Sequence, residues 1–185
     1  MSDKTACLIG VNMSNLTHIM LDLETLGTKP GCKVLSIGAC VFMPDGIGDT
    51  FYVAMDLETI PGTIEMSTFK WWLKQSDVAR RAAFFGAENH KDAMQNFTSW
   101  VRTKTPVNIW ADPVDFDLPI LEASMLLAGV APSWNHRVKR DGRTVRKIAG
   151  IEVAHVGVAH HALDDAVSQA EATIKALNEI GWLTE

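Results

Sequence analysis

His18-Ile19-Met20-Leu21-Asp22-Leu23-Glu24-Thr25-Leu26-Gly27 is the stretch on which the reading of this chain turns. Its residues alternate. Ile19, Leu21 and Leu23 fall on one face of an extended segment, and His18, Met20, Asp22 and Glu24 on the other, because successive side chains of a strand point to opposite sides. A strand over 18–24 is expected, with one apolar face and one that ends in two carboxylates. Two adjacent carboxylates repel, and one shifts its pKa upward unless a cation lies between them. A hard divalent ion such as Mg²⁺ or Mn²⁺, which takes oxygen ligands, resolves the repulsion. Taken alone, the pair is also what a solvated polar face looks like.

Next along the chain, 33–42 is apolar on both faces, as a central strand requires. Pro44-Asp45-Gly46-Ile47-Gly48 signals a turn, and 51–57 reads as a third strand returning as a hairpin. Helical spacing follows. Phe69, Trp72 and Leu73 mark a helix over 68–75, and Ala93, Phe97, Trp100 and Val101 a longer one. A short β-rich run, 107–111, precedes a helix from about Asp115, on which Ile120, Leu121, Ser124, Met125 and Ala128 form one stripe. The last helix follows Ala162, with Leu163, Ala166, Val167, Ala170, Ile174 and Leu177 along one side, and Gly181 stops it. Three strands, helices, another strand and closing helices describe one α/β domain, a mixed sheet covered by helices. Residues 1–15 carry no pattern and are expected as an N-terminal appendage, a candidate for disorder, with 16–185 as the domain.

Two further clusters carry chemistry. In Trp110-Ala111-Asp112-Pro113-Val114-Asp115-Phe116-Asp117, the last residue lies on the core-facing stripe of its helix, near the start. A carboxylate there is costly without a partner. The helix N-terminus, which stabilises negative charge by about 0.3–1 kcal/mol, is one partner and a cation is another. Asp115 is the better cap, since it precedes the helix and can accept from its first amides. His160-His161-Ala162-Leu163-Asp164-Asp165 opens the last helix. Asp165 sits in the first turn and His160 just before it, so the imidazole can face the site that Asp165 faces. Asp164 and Asp165 are also what the helix dipole alone favours.

Asp22 and Glu24, then Asp117, then His160 separated by four residues from Asp165: in this order and spacing the chain resembles the DEDD superfamily of metal-dependent 3′–5′ exonucleases, in its histidine branch. The resemblance covers nearly the whole chain and is nearest to small stand-alone bacterial and phage enzymes related to RNase T and oligoribonuclease. The stretch Thr68-Phe69-Lys70-Trp71-Trp72-Leu73-Lys74-Gln75 is similar to a subgroup that includes mycobacterial 3′–5′ exoribonucleases. The resemblance implies an RNase H-like fold and two-metal hydrolysis of phosphodiester bonds at the 3′ end of single-stranded nucleic acid or of 3′ overhangs. Asp22, Glu24, Asp117 and Asp165 would hold two Mg²⁺ ions, with Mn²⁺ able to substitute, and His160 would be the general base. Thr25 and Leu26 would meet the terminal nucleotide through backbone contacts and apolar packing. Trp71 is a candidate to stack on a base, worth about 1–3 kcal/mol, whereas helical phase sends Trp72 to the core. A homodimer is also implied. The chain departs from the pattern at Asp112 and Pro113, where the second motif often has Asn and Gly, and in a second histidine, His161.

Two other functions compete. An RNase H-type endonuclease shares the fold, but the His160–Asp165 cluster argues against it. A non-catalytic nucleic-acid-binding module would be a degenerate relative, yet all five site residues are present.

The bulk numbers agree with an intracellular globular domain. Hydrophobic residues are 47% and charged residues 21%. No apolar run approaches the ~20 residues that span a bilayer. Cys7, Cys32 and Cys40 form no close pair, which suits reduced thiols in a cytoplasm. The net charge of −5 argues against wrapping long duplex but allows a short strand held by metal ions and a few cations. Arg137, Lys139, Arg140, Arg143, Arg146 and Lys147 supply such a local group.

Overall fold

The computed structural model describes residues 16–105 and 107–182; the appendage expected over 1–15 lies outside them. Five strands form one mixed sheet in the order β3-β2-β1-β4-β5. β1 (Thr17–Thr25) is central, antiparallel to β2 (Val34–Met43) on one side and parallel to β4 (Val107–Ala111) on the other. β3 (Gly46–Ala54) closes one edge as a hairpin with β2, and β5 (Lys139–Asp141) runs parallel to β4 at the other. Around the sheet lie α1 (Met66–Trp72), α2 (Asp77–Phe84), α3 (His90–Arg102), α4 (Val114–Leu127), α5 (Gly142–Ala149) and α6 (Ala162–Glu179). This is the helix-covered mixed sheet that the sequence predicts.

The alternation in β1 builds two cores. Ile19, Leu21 and Leu23 pack with Leu35, Ile37, Phe97, Leu121 and Met125 on one face. Met20 packs with Cys40, Phe42 and Trp110 against Ala166, Ala170 and Leu177 of α6 on the other. Asp22 and Glu24 continue that second face toward the strand's end. β4 stops at Ala111, where Met20 pairs with Trp110, so the last residues of β1 run on without that neighbour. Here the backbone needs new partners, and here the site forms.

Gly38 lets α6 reach that place. It pairs with Asp22 across the β1–β2 ladder. A Cβ at Gly38 would lie 2.1 Å from the carbonyl carbon of Ala162 and 2.2 Å from the nitrogen of Leu163. No side chain fits that gap, so glycine here is what seats the first turn of α6 on the sheet.

Several boundaries differ from expectation. β3 begins at Gly46 and ends at Ala54, because Pro44 and Asp45 alone make the turn. α4 begins at Val114, and Asp115 is an exposed first-turn residue rather than its cap. The cap comes from outside: Asp141 accepts from Val114 N (2.8 Å) and also from Thr144 N (2.7 Å), so one carboxylate serves α4 and α5 together. α2, β5 and α5 have no counterpart in the sequence reading. Trp72, Trp110 and Trp134 are buried, Trp100 and Trp182 half-buried and Trp71 exposed, and Phe85, Leu126 and Ile148 also leave apolar surface open. Among the described residues no helix is long and apolar enough to cross a membrane.

Candidate active site

Three separate elements deliver the four carboxylates. Asp22 and Glu24 come from the end of β1, Asp117 from the first turn of α4, and Asp165 from the first turn of α6. Asp117 is 3% exposed, and its Oδ1 accepts from the amide of Leu23 (3.2 Å), a group beyond the stretch paired to β4. That bond ties the second motif to the first. Gln169, one turn after Asp165 on α6, donates Nε2 to Asp22 Oδ1 (2.8 Å) and ties the first motif to the third.

His160 adopts a left-handed backbone, φ 64°, a conformation that costs a non-glycine residue of order 1–3 kcal/mol and tends to mark function. Its amide donates to Asp165 Oδ2 (3.0 Å), and its ring meets Trp71 edge-on at 4.7 Å between centroids. His161, in extended conformation, stacks on Tyr52 at 4.4 Å and faces Asp164 (3.5 Å). The two adjacent histidines therefore project to different places. His160 lines a cavity of about 510 Å³ with Asp22, Glu24, Thr25, Trp71, Phe116 and Asp165.

Of the expected substrate residues, Thr25 and Trp71 line this cavity and Leu26 does not. Leu26 is 1% exposed, its amide donates to Lys33 and its carbonyl accepts from Glu65. Its side chain and both backbone groups help to close the β1 end. Trp72 is a core residue whose Nε1 donates to the Thr25 carbonyl (2.9 Å), so the pair of tryptophans divides the work as helical phase predicts.

Burial dominates the electrostatics, and crowding of the carboxylates adds to it. Burial, then the charges of Asp117, Glu24 and Asp165, push Asp22 well above the usual carboxylate range, against the Gln169 hydrogen bond. Glu24 is pushed up to about 8 by burial and by Asp165 and Asp117. Asp117 is pushed up to about 7, chiefly by burial, with the Leu23 amide opposing. Asp165 is raised by burial and held back by His155, whose Nδ1 lies 3.2 Å from its Oδ1. Glu24 Oε1 is buried with no hydrogen-bond partner. Glu24, His160 and Asp165 each offer one ligand atom, and these atoms lie within 4.8 Å of one another. A stranded carboxylate oxygen among mutually repelling carboxylates is what a hard divalent cation satisfies. The residues fit such an ion.

The raised values predict a pH signature. A carboxyl held above its unfolded pKa stabilises the fold most where both states are protonated, and that contribution is lost as pH rises through the folded value. Without divalent ions, Tm should fall between about pH 4 and pH 8, the interval set by the ordinary carboxylate range and the raised Glu24 and Asp117. An ion replaces the protons, so the Tm gained from saturating Mg²⁺ should be larger near pH 8 than near pH 5. Equal gains at both pH values, read by differential scanning fluorimetry, would contradict the assignment.

Part of the basic segment is used within the protein. Arg146 is buried and donates Nε to Asp112 Oδ2 (2.8 Å), and Lys139 pairs with Glu122 (2.7 Å). Arg140 donates to the carbonyls of Arg137 (2.7 Å) and Lys139 (2.9 Å). Arg146 holds the short, polar α5 to the end of β4, and Lys139 ties β5 to α4. Asp112, which departs from the resembling pattern, accepts from Arg146 and from Arg143. Gln169 and His155 belong to the site as well. Gln169 lies one turn beyond Asp165 on the same helix face, a spacing readable in the sequence; nothing local marks His155.

A family model described as the 3′-5′ exoribonuclease Rv2179c-like domain matches residues 17–177. No curated protein sequence matches the chain. Among solved structures, it is similar to Escherichia coli exonuclease I in complex with a dT13 oligonucleotide, with a TM-score of 0.62 and 18% identity over 90% of this chain and 41% of that one. The zinc-bound form of an exonuclease I–single-stranded DNA complex gives a TM-score of 0.62 and 17% identity over 90% of this chain and 40% of that one. Cell-death related nuclease 4 gives a TM-score of 0.58 and 15% identity over 88% of this chain and 64% of that one. The chain thus spans about two fifths of exonuclease I, and likeness at this identity shows the fold, an RNase H-like mixed sheet.

Proposed function

This chain belongs to the family of 3′-5′ exoribonuclease Rv2179c-like domains, DEDD-type 3′–5′ exonucleases, and from that premise we propose what it acts on and how. It removes nucleotides from the 3′ end of single-stranded nucleic acid or of 3′ overhangs, with two Mg²⁺ ions that Mn²⁺ can replace. One observation carries the reading: carboxylates from three elements and one imidazole converge where a buried Glu24 oxygen has no donor. Asp22, Glu24, Asp117 and Asp165 would hold the ions. When bound, these ions neutralise charge that develops on the phosphoryl group and on the departing 3′ oxygen. His160 takes the proton of the attacking water, a task suited to an imidazole on the cavity wall beside Glu24 and Asp165. Trp71, 40% exposed on the cavity wall, offers its face to the terminal base, and Thr25 bounds the space beside it. Residues that line the cavity thus grip one nucleotide, while the carboxylates sit where its phosphate would lie.

The same reading includes a homodimer and a cytoplasmic setting. The dimer is supported by family resemblance, and the setting by two buried free thiols, Cys32 and Cys40.

The test is a time course on matched RNA and DNA oligonucleotides, single-stranded or with 3′ overhangs, carrying a free or a blocked 3′ end. Stepwise loss from the free end, dependent on Mg²⁺ or Mn²⁺, is expected. Ca²⁺ should bind yet support little turnover, since it prefers longer contacts of about 2.3–2.6 Å. Cuts inside a blocked strand would favour the endonuclease, and binding without cleavage the non-catalytic module. Full activity in excess chelator would overturn the metal assignment.

A further inference from the structure

We propose that Arg143 holds the phosphate one nucleotide upstream of the scissile one, and so governs how well longer chains are taken; the inference rests on the exonuclease reading above. The guanidinium is anchored along one edge. Its Nε donates to Asp112 Oδ1 (3.0 Å) and its Nη2 to the Asp112 carbonyl (3.2 Å). Nη1 has no hydrogen-bond partner among the described residues, and the side chain is 51% exposed. Asp112 is already held without it, because the buried Arg146 reaches the other carboxylate oxygen through both Nε and Nη2. Two guanidinium groups thus share one carboxylate, and the outer edge of Arg143 stays open, near the charges of Asp117 and Asp141.

That open edge stands in the right place. Arg143 borders two smaller cavities that flank the carboxylates. One, of about 360 Å³, also holds Asp22, Phe116 and Asp117, and the other, of about 210 Å³, holds His155, Asp165 and Gln169. Phe116 borders both the first of these and the large cavity beside His160. A strand whose last nucleotide fills the large cavity, with its scissile phosphate at Asp22, can leave past Phe116 toward Arg143. The outer edge of a guanidinium fixed on its inner edge is suited to a phosphate, since little freedom remains to be lost on binding. Lys139, Arg140 and Arg146 of the same segment each bond within the protein.

The experiment uses the full chain with Mg²⁺ and two substrates: a dinucleoside monophosphate, which has the scissile phosphate alone, and a ten-nucleotide strand. Arg143→Gln should raise KM for the longer strand by about 10–100-fold, the loss expected for a charge-assisted hydrogen bond. The rise for the dinucleoside monophosphate should be much smaller. The dependence of log(kcat/KM) on log salt for the long strand should become shallower by about 0.7, the slope of one single-strand phosphate contact. Arg143→Lys keeps the charge and the Asp112 pair and should fall between wild type and Arg143→Gln; it also reports if Arg143→Gln fails to fold. Equal losses on both substrates, or an unchanged salt slope, would overturn the proposal. So would a variant that merely needs less Mg²⁺, because Arg143 would then only offset the carboxylates. Failure of the wild type to cleave either substrate would instead overturn the exonuclease reading.

Discussion

Asp117→Ala should abolish most hydrolysis, a fall larger than the ~10–100-fold that loss of an outer-shell partner of a metal site costs. Asp22→Ala, Glu24→Ala and Asp165→Ala should do the same, since each takes a ligand from one shared site. Stability should move the other way. Burial raises every one of these carboxyls, and their neighbours raise Asp22 and Glu24 further, so the metal-free fold carries the cost of charging them. Near pH 8, metal-free Asp22→Ala and Glu24→Ala should therefore melt above wild type. Asp117 is the exception that tests the geometry, because it also accepts the Leu23 amide (3.2 Å). Asp117→Ala strands that amide at a cost of about 1–3 kcal/mol, which offsets the gain. Asp117→Asn keeps the acceptor and removes the charge; it should be inactive yet at least as stable as wild type. Near-normal turnover by Asp117→Ala would sink the second-motif assignment, and an Asp117→Asn variant as unstable as Asp117→Ala would sink the role given to the Leu23 bond.

What the sequence made legible follows a physical division. β1 and α6 were readable because each buries an apolar stripe of fixed period, and the functional carboxylates interrupt those stripes at definite positions. α2 and α5 were not, because they bury small or charged residues. α2 covers only Ala79 and Ala83, and α5 only Gly142 and Arg146. The Ser76 cap, whose side chain accepts from Ala79 N (3.1 Å), was the available signal for α2. For α5 the signal was hidden in charge pairing. A segment rich in arginine reads as a free basic patch until the partner, Asp112, is brought beside it by the sheet. The same holds for the site's cross-links. Leu23 to Asp117 and Asp22 to Gln169 join residues 94 and 147 positions apart, so no local pattern encodes them. Leu26, close to Glu24 in sequence, is buried, and its amide and carbonyl each take a partner that closes the strand end, contacts made by residues 7 and 39 positions away.

His160→Ala should lower kcat by about 10²–10⁴-fold, the range of a general base, while His161→Ala costs far less. The difference arises in the backbone. Position 160 is left-handed and turns its ring against Trp71 on the cavity wall, whereas position 161 is extended and sends its ring to Tyr52. Alanine at a left-handed position is itself strained, so His160→Asn, which tolerates that conformation, separates loss of the imidazole from disturbance of the turn. Both replacements should be equally inactive. A second role must be distinguished, because His160 offers a ligand atom within 4.8 Å of those of Glu24 and Asp165. If the imidazole serves as base, excess Mg²⁺ should not restore the variants, and the shape of their pH–rate profile should differ from that of wild type. If it serves mainly as a ligand, high Mg²⁺ should recover much of the rate and the pH profile should persist. A crippled His161→Ala beside an unaffected His160→Ala would refute both roles, since the ring that works would then be the one stacked on Tyr52.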